Sequence, residues 1–459
     1  MNRTTLTLTT EVADRLTAVA ARPVESAAVL LARRAALPDG GLRLLGVRLL
    51  EVPDDAYRER TATAISISSD GFMPALREAE HAGATAIWVH THPLPGSAPV
   101  PSRRDAVVDA QLADTFRART ASGLYGTLIV APHEGGMTFT GRIEGEHQAA
   151  IDRIFIAGPT FRLLRSFDSG TPALPALHDR QIRAFGTEIQ HVLGDLTVAV
   201  VGAGGTGSAV AEQLVRLGIR RLTLIDPDTL STSNLTRVYG STPADVGRPK
   251  VHVLADHLNR IADGVAVEPV IGSVSQRKIA QHVVGADIVF GCTDDEAGRL
   301  RLSRFSHAYL TPVIDCGVKI TATPQGQIRD IIGRITVLHP GAACLLCRNR
   351  VIPALAAAQE RAAEEQVQLA KEGYAPALPG IEPAVVTYTT ATAAAAVNEL
   401  LERLVDYGPP PRPSETLLLF HDRRTSSNHQ EPTPAHYCAS VATAGYGDTE
   451  RYWGLSWAA

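Results

Sequence analysis

Between Ile87 and Asp105 the chain reads IWVHTHPLPGSAPVPSRRD. Two imidazoles, His90 and His92, stand one residue apart, and a carboxylate, Asp105, follows. Alternate side chains of a strand share a face, so both histidines point the same way. Two same-face imidazoles fit two ligands of a zinc ion, and a third protein ligand leaves one position open for water. Asp105, in the first turn of a following helix, is the nearest candidate for that third ligand. The same residues have a metal-free reading. A His-x-His pair alone is weak evidence, and Ser102-Arg103-Arg104-Asp105 also fits a helix-capping box with Ser102 as the cap and Asp105 as its partner.

A second group begins in TVAVVGAGGTGSAV. Gly202, Gly204 and Gly207 fit G-x-G-x-x-G between a strand and a helix, with Gly205 and Ser208 in the same turn. Such a turn lets backbone approach a phosphate at a helix N-terminus. Asp226, ending the next strand RLTLID, is placed to accept hydrogen bonds from a ribose. That much also fits a dinucleotide-binding dehydrogenase. The residues that follow favour ATP-dependent adenylation: Asn234 and Arg237 in PDTLSTSNLTRVYG, Lys250 in VGRPKV and Asp294 in FGCTDDEAGR. A triphosphate needs cations such as Arg237 and Lys250 where charge develops on the leaving pyrophosphate, and a carboxylate such as Asp294 can hold magnesium.

The elements that must position these groups differ between the two halves. The first half reads as a helix near residues 11–21, then strands AAVLLARR, LRLLGVRLLEV and TATAISIS, and a helix around MPALREAEHAG. Strand ATAIWVHTH, helix RRDAVVDAQLADTF and strands GTLIVAP and MTFTGRI follow. Hairpin-like strands mixed with helices predict an α+β domain. FDSGTPALPALHDRQ is rich in turn residues and reads as a linker. From Leu196 apolar strands alternate with helical segments, which predicts βαβ units, a mainly parallel sheet and a Rossmann-like α/β domain.

On His90, His92, Pro93, Ser102 and Asp105 the first half resembles the JAMM (MPN/JAB, Mov34-like) metalloproteases, which remove or trim ubiquitin-like proteins. The family's upstream glutamate matches Glu25 in RPVESAAVLL. The resemblance implies that His90, His92 and Asp105 hold zinc, that Glu25 is general base and acid for the water, and that Ser102 helps stabilise the oxyanion. The stretch PLPGSAPVPS departs from it, being about two residues longer between proline and serine than the family's usual spacing. The second half resembles the ThiF/MoeB/HesA-type adenylyltransferases, the superfamily of the ubiquitin-activating enzymes. That resemblance implies that Gly202 to Ser208 cradle ATP, Asp226 binds ribose, and Asn234, Arg237 and Lys250 contact phosphates. Asp294 would bind magnesium, with Arg299 in support. HDRQIRAFG resembles the family's leading helix, whose arginine, here Arg180, reaches the partner subunit's ATP and so implies a homodimer.

Cys344 and Cys347 stand where the adenylyltransferases often carry half of a structural zinc site, but no second Cys-x-x-Cys follows. Cys438 is there, with His429 and His436 nearby, so a site of three cysteines and one histidine and an empty remnant both stay open. The loop from Arg348 to Ala384 has no cysteine, which argues against thioester transfer. Cys292 and Cys316 read as packing residues.

The 459 residues exceed a single compact core. With 45% hydrophobic and 20% charged residues, the composition is that of a soluble globular protein. A formal charge of -4 gives no basic footprint for nucleic acid. The start lacks an apolar run, and AVVTYTTATAAAAVNELL is interrupted by threonines and a glutamate, so a buried helix is expected there and no membrane span. Five cysteines without an export signal suggest a reducing cytoplasm. The expected organisation is 1–160 JAMM/MPN-like, 161–177 linker, 178–430 ThiF-type and 431–459 a C-terminal tail. The expected function is processing and then adenylation, with ATP, Mg²⁺ and Zn²⁺, of a small ubiquitin-like or sulfur-carrier protein ending in Gly-Gly. The alternatives are adenylation of a short peptide in natural-product maturation, or a non-catalytic scaffold that binds a ubiquitin-like fold.

Overall fold

The computed structural model describes residues 4–94, 99–120, 122–134, 136–167, 173–323, 325, 327–361, 365, 383–434 and 436–449. The inserted part of the Pro93–Ser102 loop, much of the 348–384 loop, part of the expected linker and the end of the tail lie outside the described residues. The chain forms two compact units. One runs to Pro172 and takes in a segment that begins at Ala442; the other is Ala173–Val441.

The first unit carries strands β1 (Thr4–Thr9), β2 (Ala27–Ala36), β3 (Leu42–Glu51), β4 (Tyr57–Arg60), β5 (Ile65–Ile67), β6 (Thr85–Thr91), β7 (Leu124–His133), β8 (Gly136–Gly145), β9 (Ala149–Ala150), β10 (Arg153–Ala157) and β11 (Phe161–Arg165). Its helices are α1 (Thr10–Ala20), α2 (Met73–Ala82) and α3 (Arg103–Arg119). The sheet order is β11-β10-β1-β3-β2-β6-β7-β8-β9, with β4 and β5 as a separate pair. Alternation along each strand separates two cores. Ala28, Leu30, Ile87 and Val89 pack with Val12, Leu16 and Val19 of α1 on one face. Val29, Leu31, Ala86 and Trp88 pack with Leu76 of α2 and Phe116 of α3 on the other. His90 continues the Ala86–Trp88 series and so belongs to the face that α3 covers.

Two features correct the expected boundaries. Residues 161–165 are not linker: β11 pairs antiparallel with β10, and the buried rings of Phe155 and Phe161 lie with centroids 6.3 Å apart. Part of the tail belongs to this unit. Asp448 accepts a hydrogen bond from the Ala36 amide at the end of β2 (2.7 Å). The Arg33 guanidinium lies 4.3 Å from the Tyr446 ring centre. Between them Gly447, at φ +55°, passes so close to the Arg34 carbonyl that a Cβ would come within 2.5 Å.

The second unit carries helices α4 (Asp179–Phe185), α5 (Thr187–Asp195), α6 (Gly205–Leu217), α7 (Lys250–Leu258), α8 (Arg277–Ala280), α9 (Glu296–Ala308), α10 (Pro353–Gln359) and α11 (Val386–Val405). Its strands are β12 (Thr197–Val201), β13 (Arg221–Asp226), β14 (Ala266–Ile271), β15 (Ile288–Gly291), β16 (Val313–Ala322), β17 (Ile328–Leu338), β18 (Glu415–Leu419) and β19 (Arg424–Asn428). They form one sheet in the order β14-β13-β12-β15-β16-β17-β18-β19. Neighbours from β14 to β16 are parallel; β16 to β19 form an antiparallel extension. The chain leaves β12 in one direction for β13 and β14, then returns to its other side as β15. In such sheets ligands bind at the carboxyl ends of the strands at this reversal. α11 buries Ala393, Ala396, Val397 and Leu400. Among the described residues no helix is long and apolar enough to cross a membrane.

Candidate functional sites

In the first unit the register of β2 against β6 brings the acid to the histidines. Ala27 pairs with His90, and the Thr91 amide donates to the Ser26 carbonyl (3.0 Å). Glu25 therefore stands opposite His92. Its backbone is pinned on both sides, because its amide donates to Thr61 O (2.8 Å) and its carbonyl accepts from Arg60 Nε (3.1 Å). Asp105 arrives from α3 in a capping box: the Asp105 amide donates to Ser102 Oγ (3.1 Å), and the Ser102 amide donates to Asp105 Oδ2 (2.6 Å). The metal-free reading of these residues is thus realised, yet the same carboxylate also reaches both imidazoles. Asp105 Oδ1 lies 3.4 Å from His90 Nε2, and Oδ2 lies 3.6 Å from His92 Nε2.

The electrostatics of this cluster are unequal. Burial pushes the Asp105 carboxyl up, but the nearby His90 and His92 imidazoles and the hydrogen bond from the Ser102 amide outweigh it and hold the carboxyl well below the usual range. Burial dominates at Glu25 and raises its carboxyl above the ordinary value, against the pull of the two histidines. Both ring nitrogens of His90 are buried without a hydrogen-bond partner. One ligand atom each from His90, His92 and Asp105 lies within 4.8 Å of the others. Two imidazoles and a carboxylate, with orphaned buried nitrogens, are a donor set that fits zinc. Glu25, His90, His92, Ser102 and Asp105 all line one cleft of about 620 Å³.

In the second unit the strand ends converge as the sheet order requires. Gly202, at φ +98°, has no room for a Cβ, which would stand 2.6 Å from Cys292 O; one on Gly207 would stand 1.7 Å from Gly202 O. The turn and α6 can therefore be this close only as glycine. Asp226, at the end of β13, accepts from the Ala203 amide (2.6 Å) and the Asp228 amide (2.9 Å) and so braces the turn. Burial raises its carboxyl, with Lys250 the main opposing influence. Lys250 Nζ lies 2.6 Å from Asp228 Oδ2 and 3.8 Å from Asp226 Oδ1. Arg237 packs against Gly205, where a Cβ would meet its Cδ at 3.2 Å. Asn234 Oδ1 accepts from the Ser231 amide (3.1 Å), which fixes the short helix that ends at Arg237.

Four further expected residues are placed as follows. Ser208 is fully buried; its hydroxyl donates to Gly205 O (3.3 Å) and accepts from the Tyr239 amide (3.1 Å), so it frames the turn from within. Arg299 is buried in a two-point ion pair with Asp315, both contacts 3.1 Å, and Arg334 reaches the same carboxylate at 3.1 Å. Asp295 takes the N-cap of α9, which leaves Asp294 exposed beside it. Arg180 is exposed on α4.

Contacts that spacing does not reveal bring the cysteines together with one histidine. Cys344, Cys347, His436 and Cys438 bring one ligand atom each within 4.8 Å. Cys347 Sγ lies 3.0 Å from His436 Nδ1 and 3.4 Å from Cys438 Sγ. His429 is exposed and pairs with Glu431 at 3.0 Å. A hydrogen bond from Cys438 is the largest influence drawing the Cys344 thiol down, to about 4. Three sulfurs, one of them easily ionised, and an imidazole fit a closed zinc site. Cys292 and Cys316 pack with sulfurs 3.6 Å apart.

The family model described as the ThiF family matches residues 178–439. Molybdopterin-synthase adenylyltransferase of Escherichia coli is 34% identical over 178 residues, 38% of this chain and 68% of that protein. The SAMP-activating enzyme E1 of Haloferax volcanii is 30% identical over 162 residues, 35% of this chain and 56% of that protein. The crystal structure of E. coli MccB with ATP aligns with 58% of this chain and 75% of its own at 18% identity and a TM-score of 0.45, a loose likeness.

Proposed function

The chain belongs to the ThiF family, and on that footing we propose that its second unit uses ATP to adenylate the C-terminal carboxylate of a small sulfur-carrier or ubiquitin-like protein. The convergence of Asp226, Lys250 and the Gly202–Gly207 turn at the β12 reversal is the observation that supports this most. Asp226 accepts the ribose hydroxyls, and the α6 N-terminus and Arg237 face the phosphates. Lys250 moves from Asp228 to the charge that builds on pyrophosphate as a carboxylate oxygen attacks the α-phosphorus. Asp294 holds magnesium, a hard cation that neutralises phosphate charge. Arg180 serves the site of a second copy, in a homodimer. Cys344, Cys347, His436 and Cys438 hold a structural zinc that ties the 344–347 turn to residues 436–438.

For the first unit the proposed reading is JAMM-type hydrolysis of a peptide or isopeptide bond at the same class of C-terminus. Its support is the gathering of Glu25, His90, His92 and Asp105 in one cleft. His90, His92 and Asp105 would hold zinc, which lowers the pKa of a coordinated water and polarises a carbonyl. Glu25, raised by burial, takes a proton from the attacking water and returns it to the leaving amine. Ser102 offers a hydroxyl at the cleft wall for the oxyanion.

Exchange of labelled pyrophosphate into ATP by the full chain tests the first reading. Exchange is expected only with a Gly-Gly-ending protein present. Exchange with a short peptide alone would move the substrate to that class, and tight nicotinamide-dinucleotide binding without exchange would refute adenylation. Zinc at the His90 cluster without hydrolysis of any Gly-Gly-containing substrate would leave the first unit a binding scaffold.

A further inference from the structure

The cleft that holds Glu25 and the histidines has a second character. One wall is apolar: Ile65, Ile67, Phe72, Trp88, Val108 and Leu112 line it. Phe72 and Trp88 meet edge to face, with centroids 6.3 Å apart at 79°. A tail of glycines has no side chain to place against such a wall. Burial of one large apolar side chain there is enough to select a substrate about tenfold or more. The charge around the wall also has a pattern. Glu25, Asp105 and Asp109 line the cleft. Asp109 is committed to Tyr125 Oη (3.0 Å) and Arg142 Nη2 (2.9 Å). Among the described lining residues Arg104 is the sole arginine or lysine. It sits in the first turn of α3, one residue before Asp105, and its guanidinium pairs with Glu59 at 3.2 Å. Both side chains are about half exposed (54% and 47%), and such a surface pair is weak, so Glu59 is readily exchanged for a better partner.

We propose that this cleft is a subsite for a free C-terminus: the Ile65–Phe72–Trp88 wall takes the large apolar side chain of a terminal residue, and Arg104 binds its α-carboxylate. The planar fork of arginine matches a carboxylate in two-point contact. This rests on the hydrolytic reading of the same site and narrows it from isopeptide cleavage to trimming of a precursor tail. One water is consumed. Its oxygen joins the carbonyl carbon, the C–N bond breaks, and Glu25 carries the water's proton to the leaving amine. The products are a free apolar amino acid and a shortened chain with a new carboxylate, the group that adenylation consumes.

The test uses the full chain supplied with zinc and two peptides ending in Gly-Gly-Phe, one a free acid and one an amide. Binding is measured on Glu25→Gln by calorimetry and cleavage on the wild type. The acid is expected to bind about tenfold or more tighter than the amide, as loss of a charge-assisted contact implies. Arg104→Gln is expected to erase that difference, and a serine in place of the terminal phenylalanine to weaken binding comparably. Selective binding with cleavage supports both the subsite and hydrolysis. Selective binding without cleavage supports the subsite and removes hydrolysis. Equal binding of acid and amide, or a preference that survives Arg104→Gln, overturns the subsite whether or not cleavage occurs.

Discussion

Lys250→Ala is the most searching perturbation of the adenylation site, because the lysine acts on two partners. Its Nζ lies 3.8 Å from Asp226 Oδ1 and 2.6 Å from Asp228 Oδ2, and the residue is 9% exposed. Burial raises the Asp226 carboxyl, and Lys250 is the largest influence holding it down. At 3.8 Å two unit charges interact by about 1–4 kcal/mol for an effective dielectric between about 80 and about 20. Removing the ammonium should therefore cost the ionised form of Asp226 an amount in that range, in addition to the lost phosphate contact of about 1.5–3 kcal/mol. The two losses differ in pH dependence. A raised carboxyl is neutral on the acid side of its titration and ionises as pH rises. The ribose contact in the variant should thus recover as pH rises through that titration, while the phosphate contact does not return. ATP titrations of wild type and variant over a series of pH values read the ratio directly. The wild-type advantage should shrink as pH rises, and Asp226→Asn in the variant background should abolish that trend. A ratio that stays flat with pH would refute the coupling, and an affinity loss under about twofold would refute Lys250 as a nucleotide ligand.

Glu25→Gln should retain zinc at the His90 cluster and lower hydrolysis by about 10²–10⁴, measured as turnover alongside elemental analysis; His92→Ala should lose the metal itself. His436→Ala should remove the second-unit zinc and His429→Ala should not, a contrast that metal content per chain decides. Asp315→Asn takes from the buried Arg299 its two-point partner, leaving Glu296 at 3.7 Å, and from the half-buried Arg334 a 3.1 Å contact, so the second unit should lose about 3–5 kcal/mol in denaturant unfolding. Burial pushes the Asp315 carboxyl up, but Arg299 and Arg334 outweigh it and hold it low. Its stabilisation is therefore present above the unfolded carboxyl value of about 4 and lost as pH falls below it. An unfolding midpoint unchanged on acidification through that range would contradict this.

The histidine strand and the nucleotide turn were legible because their signals are local. Period two sets the face of His90 and His92, and glycine spacing sets the turn between β12 and α6. Asp226 and Asp294 followed, since parallel strands put all their carboxyl ends on one edge. Glu25 carried no local signal; its place comes from the β2–β6 register, and only a resemblance pointed to it. The β10–β11 hairpin did have a sign, the Gly158-Pro159 turn between apolar runs, which the nearby turn-rich stretch obscured. β1, TTLTLT, is buried on both faces with threonine where a core strand usually carries aliphatics, and β19 has no apolar residue at all. Choosing His436 over His429 needed the chain's return to Cys347, a contact between residues far apart in sequence.

The docking of Tyr446, Gly447 and Asp448 against β2 makes the first unit discontinuous in sequence. Synthesis proceeds from the N-terminus, so the sheet that carries His90 gains its contacts with residues 446–448 only after the second unit has been made. A fragment cut at residue 160 would omit both β11 and this clasp. An experiment that seeks zinc in such a fragment would be measuring an incomplete unit, and the full chain is the proper unit of expression for testing either proposed activity.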